Sequence, residues 1–208
     1  MRIVILISGG GSNMQAIVCA RDAGLPVEIA AVISNRPDAP GLDRAVAAGI
    51  PVFTVAHTEY ASRADFDAAL SAVIEPLRPD LVVLAGFMRV LGADLVKRYA
   101  GRMVNIHPSL LPAFPGLNTH ARALAAGCKV HGATVHFVTP ELDHGPIIAQ
   151  AAVPVHPEDD TETLAARVLK QEHLIYPRVL GWIARGLVDI EGNHVRLTDP
   201  GQQQWVFD

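Results

Sequence analysis

Over its first hundred residues the chain alternates apolar runs, each about one strand long, with longer stretches of mixed polarity. Few folds accommodate that alternation. Residues 2–7, Arg-Ile-Val-Ile-Leu-Ile, stop at Ser8-Gly9-Gly10-Gly11. A run that is apolar on both faces and ends in glycines reads as a buried parallel strand entering a tight loop. Ser12 or Asn13 is placed to cap the helix that follows, over 13–23, and Gly24 to end it. Further strands are expected at 27–34, 51–55 and 80–85, with helices at 41–48 and 62–76, the second closing before Pro79. The run at 80–85 is apolar on both faces and belongs in the middle of a sheet. The pattern predicts an α/β protein: a mostly parallel twisted sheet, helices on both faces, right-handed crossovers. Ligands in such sheets bind beyond the carboxyl ends of the strands. Here those ends are the Ser8–Asn13 loop, the Gly86–Leu91 loop and the segment after Val104.

The second half reads differently. A strand at 102–107 runs into a proline-rich stretch, Pro108 to Pro115. Strands at 130–138 and 147–155 flank a Gly-Pro turn and are expected to pair antiparallel. A long helix at 161–184 contains Pro177, which is expected to bend it. The tail, 187–208, is read as a small hairpin and a loose end. The whole is expected to be one domain, with one half over about 1–100 and another over about 101–190.

Composition narrows the partners. Half of the residues are hydrophobic and 18% are charged, which is globular rather than disordered. A formal net charge of −4 without a basic run argues against nucleic acid. Cys19 and Cys128 form neither a metal-type pair nor a disulfide framework. The apolar start runs straight into glycines without a cleavage site, and no apolar run approaches the ~20 residues of a membrane span. A cytoplasmic protein without a membrane partner is therefore expected.

Three segments carry chemistry. Strand, Ser8-Gly9-Gly10-Gly11-Ser12-Asn13, then helix is an arrangement that binds phosphate: glycines let the backbone approach an anion, and the helix start offers N–H groups and a positive dipole end. It also serves as a plain tight turn. Met14 stands where the dinucleotide pattern wants glycine, and no Lys-Ser/Thr follows as in a P-loop. Second, Asn105 and His107 lie two apart on one strand, so they share a face, while Val104 and Ile106 point oppositely. A carboxamide and an imidazole there can act as oxyanion donor and general acid or base, or form a structural hydrogen-bonded pair. Third, Val138 to Pro146 is a loop that holds Asp143 and His144. A carboxylate beside His107 would favour the imidazolium; by itself Asp143 also fits a turn. A metal reading of His131, His136 and His144 near Asp143 matches no zinc spacing.

Several segments together resemble one family: Ile7 to Asn13, Leu84 to Leu91, Asn105-Ile106-His107-Pro108-Ser109-Leu110-Leu111-Pro112, Pro115 to His120, His131 to Val138, Leu142 to Gln150, and Gln171-Glu172-His173. In that order they resemble the folate formyltransferases, and within them the glycinamide ribonucleotide formyltransferases, over about residues 1–185. The resemblance implies a Rossmann-like formyltransferase fold. It also implies transfer of a formyl group from 10-formyltetrahydrofolate to the amine of glycinamide ribonucleotide in purine synthesis, with no metal. By matching positions, Gly11, Ser12 and Asn13 would hold the substrate phosphate and Glu172 the glycinamide end. Arg63, Met88, Arg89, Val90, Leu91, Asn105 and the loop Thr139, Pro140, Glu141, Leu142, Asp143 would line the folate site. Asn105, His107 and Asp143 would be catalytic, and a cis bond would precede Pro112. Some members form dimers, so a homodimer is compatible with the resemblance.

Three positions depart from common family patterns. Leu169 replaces a polar residue near the substrate, Pro140 removes a backbone donor from the folate loop, and His144 replaces a frequent glycine beside Asp143. The rival readings are a methionyl-tRNA formyltransferase, a formyl-folate hydrolase, a nicotinamide dehydrogenase and a non-catalytic folate-binding module. The tRNA enzyme needs a further basic domain and the hydrolase an N-terminal regulatory one. An acidic chain with its first strand at Arg2 and its end at Asp208 is expected to be neither. The dehydrogenase predicts tight NAD binding, and the module predicts folate affinity without transfer.

Overall fold

The structure is a computed structural model, and it describes residues 1–198 and the backbone of 204–206. The chain divides into two compact units, Met1–Asn105 and Ile106 onward.

In the first unit the strands are β1 (Arg2–Ile7), β2 (Glu28–Ser34), β3 (Val52–Thr54), β4 (Leu81–Leu84) and the start of β5 (Met103–His107). All ladders among them are parallel, in the order β5-β4-β1-β2-β3. The expected parallel α/β arrangement is thus present. Ile3 to Ile7 and Leu81 to Val83 are at most 2% exposed, as runs apolar on both faces require. Each large aliphatic side chain buried this way contributes about 1.5–3 kcal/mol. The helices are α1 (Ser12–Asp22), α2 (Pro40–Ala47), α3 (Arg63–Ile74) and α4 (Ala93–Arg98). α1 packs with α2, and α3 with α4. Strand order explains the two groups: the path steps outward from β1 to β3, then returns to β4 and β5. With right-handed crossovers the return puts its helices on the opposite face. The reversal falls between β1 and β4, the switch point at which such sheets bind ligands.

The second unit holds α5 (Thr119–Ala125), β6 (Val130–Phe137), β7 (Ile147–Pro154), α6 (Thr161–Ala184), the hairpin β8 (Val188–Glu191) and β9 (His194–Leu197), and β10 (Gln204–Val206). β6 and β7 pair antiparallel as expected, and β10 adds parallel to β7. α6 begins with a capping box, in which Asp160 accepts from the Thr163 N–H, and runs unbroken through Pro177. Of the expected loose end, 204–206 form β10 instead, and the rest falls on residues outside the described ones.

Three sequence expectations need correction. Neither Ser12 nor Asn13 caps α1: the cap is Gly11 at φ +70, without a side-chain hydrogen bond. Helices α4 and α5 stand where the sequence pattern predicts none. They have 6 and 7 residues, too few for an apolar period to show.

Candidate active site

In the first unit the site begins at the carboxyl ends of β1 and β4. Gly11 takes a left-handed φ, and a Cβ there would lie 3.0 Å from the Gly41 Cα, so only glycine fits the entry to α1. No side chain caps α1, so its first-turn N–H groups stand at a bend that needs glycine at Gly11. Asn13, in that first turn, is buried. Gly11, Ser12 and Asn13 thus stand together at the entry to α1.

The neighbouring loop, after β4, is tied to the glycine loop through Ser8. The Ser8 N–H donates to the Gly86 carbonyl (3.1 Å), and the Met88 N–H donates to Ser8 Oγ (2.7 Å). Ser8 Oγ in turn donates to Asn35 Oδ1 (2.5 Å). At the far end the Gly92 N–H donates to Asp67 Oδ2 (2.6 Å). Burial raises the Asp67 carboxyl above its ordinary range, opposed by the Gly92 hydrogen bond and the charges of Arg63 and Arg89. Of the residues expected at a folate, Arg63 opens α3, and Met88, Arg89 and Val90 are exposed while Leu91 is buried. Asn105 lies on β5, half-buried between the fully buried Val104 and Ile106.

In the second unit His107 and Asp143 meet. His107 ends β5 with its side chain 8% exposed, and its Nδ1 lies 3.5 Å from Asp143 Oδ2. Its Nε2 is 3.1 Å from the Phe114 carbonyl. A carbonyl only accepts, so Nε2 carries a proton whatever the state of Nδ1. A second proton on Nδ1 makes the ring an imidazolium that faces a carboxylate.

Asp143 is itself held in place. It adopts φ +55, tolerable for Asp in a tight turn, and Oδ2 accepts from the Gly116 N–H at 2.8 Å. Two residues on, a Cβ at Gly145 would lie 1.7 Å from the Phe137 carbonyl oxygen, so the loop closes against β6 only with glycine there.

Other imidazoles surround the pair in neutral form. Burial lowers His136, whose Nε2 is 4.0 Å from Asp143 Oδ1. Burial also lowers His120, and takes His131 down to about 4. Among the described residues no group of three or more His, Cys, Asp or Glu is placed to hold a metal ion.

The rest of the expected folate loop is exposed at Pro140, Glu141 and Leu142, with the Thr139 hydroxyl donating to the Glu141 carbonyl (3.1 Å). His144 is exposed, 3.9 Å from Glu141 Oε1. Glu172 is buried on α6, where its charge, after burial, raises the Tyr176 phenol one turn on. Leu169 is half-buried on the same helix, and the peptide before Pro112 is cis.

Sequence reasoning passes over Asp67, Phe114 and Gly116 as parts of the site, and gives Ser8, which opens the glycine loop, no partner. Only Asp67 leaves a trace: it stands with Phe66, Leu70 and Ile74 on the buried stripe of α3, where a carboxylate is out of place. Phe114 and Gly116 act through backbone groups, which no side-chain pattern reports.

Comparison with known proteins gives the family. The family model described as formyl transferase matches residues 1–180. The phosphoribosylglycinamide formyltransferase of Escherichia coli is 50% identical over 93% of this chain and 92% of its own length. The trifunctional purine biosynthetic protein adenosine-3 of Drosophila melanogaster is also 50% identical, over 89% of this chain but only 14% of its own length. The solved phosphoribosylglycinamide formyltransferase of Coxiella burnetii superposes with a TM-score of 0.92 at 51% identity, covering 100% of this chain and 99% of its own. With the family model spanning both the glycine loop and the His107–Asp143 pair, the chain belongs to the formyl transferase family.

Proposed function

We propose that this chain transfers the formyl group of 10-formyltetrahydrofolate to the amine of glycinamide ribonucleotide, a step of purine biosynthesis. The observation that carries the reading is the buried imidazole of His107, with Asp143 on one nitrogen and a bare carbonyl on the other. Gly11, Ser12 and Asn13 take the phosphate, and Glu172 the glycinamide end. Arg63, Met88 to Leu91 and Thr139 to Asp143 take the folate. Both substrates are small molecules. No helix among the described residues is long and apolar enough to cross a membrane.

In the reaction the substrate amine attacks the formyl carbon and the carbonyl electrons move to oxygen. The tetrahedral intermediate then breaks its bond to the folate nitrogen. That nitrogen leaves with the electron pair and takes a proton, while the attacking amine gives one up to water or to His107, which restores the ring. Asn105 donates to the developing oxyanion, a role worth about 3–4 kcal/mol for one such donor.

His107 acts by exchange. In the free protein its Nε2–H is donated to the Phe114 carbonyl. The formyl oxygen replaces that acceptor at little cost in the ground state, since one carbonyl stands for another. As the oxygen becomes anionic the bond strengthens, so the gain falls on the transition state. Asp143 keeps the ring oriented and balances its charge. The departing folate nitrogen takes its proton from His107 directly or through one water. No covalent enzyme intermediate is required. Holding both substrates in attacking geometry supplies much of the remaining acceleration.

Mixing the protein with 10-formyltetrahydrofolate and, in turn, glycinamide ribonucleotide, charged methionyl-tRNA or water tests the assignment. Folate release should require glycinamide ribonucleotide. Equal release with water alone would make the protein a hydrolase and end this reading.

A further inference from the structure

The loop after β4 is fastened at both ends by side chains from distant parts of its own unit. Ser8 receives the Met88 N–H, and Asp67 receives the Gly92 N–H. Between the fastenings the chain carries Met88 at 70% exposure and Val90 at 49%, two apolar side chains on the surface, with Leu91 turned into the core.

Asp67 is a costly fastening. It is 7% exposed, and its Oδ1 finds no hydrogen-bond donor among the described residues. A buried carboxylate with a vacant oxygen opposes folding unless something compensates it. The guanidinium charges of Arg63 and Arg89 do so in part. Room for the contact is made by Gly92, where a Cβ would lie 2.5 Å from Asp67 Oδ2. Gly92 has φ −71, so its backbone does not call for glycine; the approach of the carboxylate does.

We propose that Asp67 is a positioning residue for the formyl donor: its carboxylate fixes Gly92, so that the exposed edge made by Met88 and Val90 meets the flat ring system of a folate in one preformed shape. The inference rests on reading Met88 to Leu91 as donor-binding. A loop released at Gly92 has to be ordered again whenever the donor binds. That cost weakens donor binding and leaves the chemical step untouched once the donor is bound.

Four variants test this, each assayed with formyl-folate as donor and glycinamide ribonucleotide as acceptor. The readouts are the donor KM, the acceptor KM and kcat with both substrates saturating. Asp67→Ala removes the hydrogen-bond acceptor, Gly92→Ala drives a methyl group against it, and Asp67→Asn keeps an acceptor oxygen. The fourth, Met88→Ala with Val90→Ala, removes the apolar edge itself. Asp67→Ala and Gly92→Ala should each raise the donor KM about tenfold, the factor that one lost buried hydrogen bond carries. Acceptor KM and kcat should stay within about twofold, and Asp67→Asn should recover most of the donor affinity. A fall in kcat at unchanged donor KM would make Asp67 a support of the fold alone and overturn the proposal. Should Asp67→Ala fail to fold, Gly92→Ala and Asp67→Asn decide between the same two outcomes. An unchanged donor KM in the Met88 and Val90 variant would overturn the donor-edge reading and the proposal with it. A raised KM there, with none for Asp67→Ala or Gly92→Ala, would keep the edge and refute the positioning role.

Discussion

Replacing Asp143 by asparagine removes one charge and almost no volume, which makes it the sharpest probe of His107. The asparagine carbonyl can still accept the Gly116 N–H that Oδ2 accepts at 2.8 Å, so the loop keeps its anchor. That same oxygen is the one that faces His107 Nδ1, so the ring meets an uncharged carbonyl where it met a carboxylate. Unit charges 3.5 Å apart, the separation of His107 Nδ1 and Asp143 Oδ2, attract by about 5 kcal/mol at an effective dielectric of about 20. Water reaching the pair, and the donation a neutral ring still makes, return part of this. A net loss of about 3–4 kcal/mol corresponds to a kcat lower by about 10²–10³-fold, since each decade is about 1.4 kcal/mol. Both KM values should stay near those of the parent, because the charge acts on the transition state. Steady-state turnover with both substrates saturating, supported by single-turnover transfer, measures it. A kcat within tenfold of the parent would refute the electrostatic role given to Asp143.

Other predictions follow from single contacts. Asn105→Ala should lower kcat by about 10²–10³-fold with modest change in KM, as loss of one oxyanion donor does; near-normal turnover would remove Asn105 from the catalytic set. Gly145→Ala drives a methyl group to 1.7 Å from the Phe137 carbonyl oxygen. Overpacking of that degree should cost roughly 3 kcal/mol, lowering Tm by about 6–12 °C in a thermal melt. His131 is held neutral by burial, its pKa down to about 4 from 6.5. Below pH 6.5 the unfolded chain takes up a proton that the folded one refuses, so stability should fall as the pH drops from 6.5 toward 4. His131→Gln should lose less Tm than the parent between pH 7 and pH 4.5.

What the sequence disclosed and what it hid have different physical origins. Strands β1 and β4 were legible because burial on both faces demands unbroken apolar runs, and Ile3 to Ile7 could not be mistaken for a surface segment. The loop between β1 and α1 was legible as three glycines between a strand and a helix. The cap of α1 was not, because Gly11 competes with Ser12 through backbone freedom rather than a side chain. Helix α5 hid between Asn118 and Gly127, both at positive φ, where turn chemistry masks a weak period. The family resemblance named Asn105, His107 and Asp143. That Asp143 faces His107 across 36 positions of sequence, and that the Phe114 carbonyl takes the other ring nitrogen, are facts of tertiary packing. The contacts of Ser8 and Asp67 were silent for the same reason: their partners, Met88 and Gly92, offer backbone N–H groups that every sequence has.

Transfer to glycinamide ribonucleotide by a double-mutant cycle on His107 and Asp143 speaks to the core of the mechanism. If imidazole and carboxylate work as one unit, His107→Ala combined with Asp143→Asn should be no slower in single turnover than His107→Ala alone. Losses that multiply, with the double variant slower by the product of the two single factors, would show independent contributions and contradict the pairing.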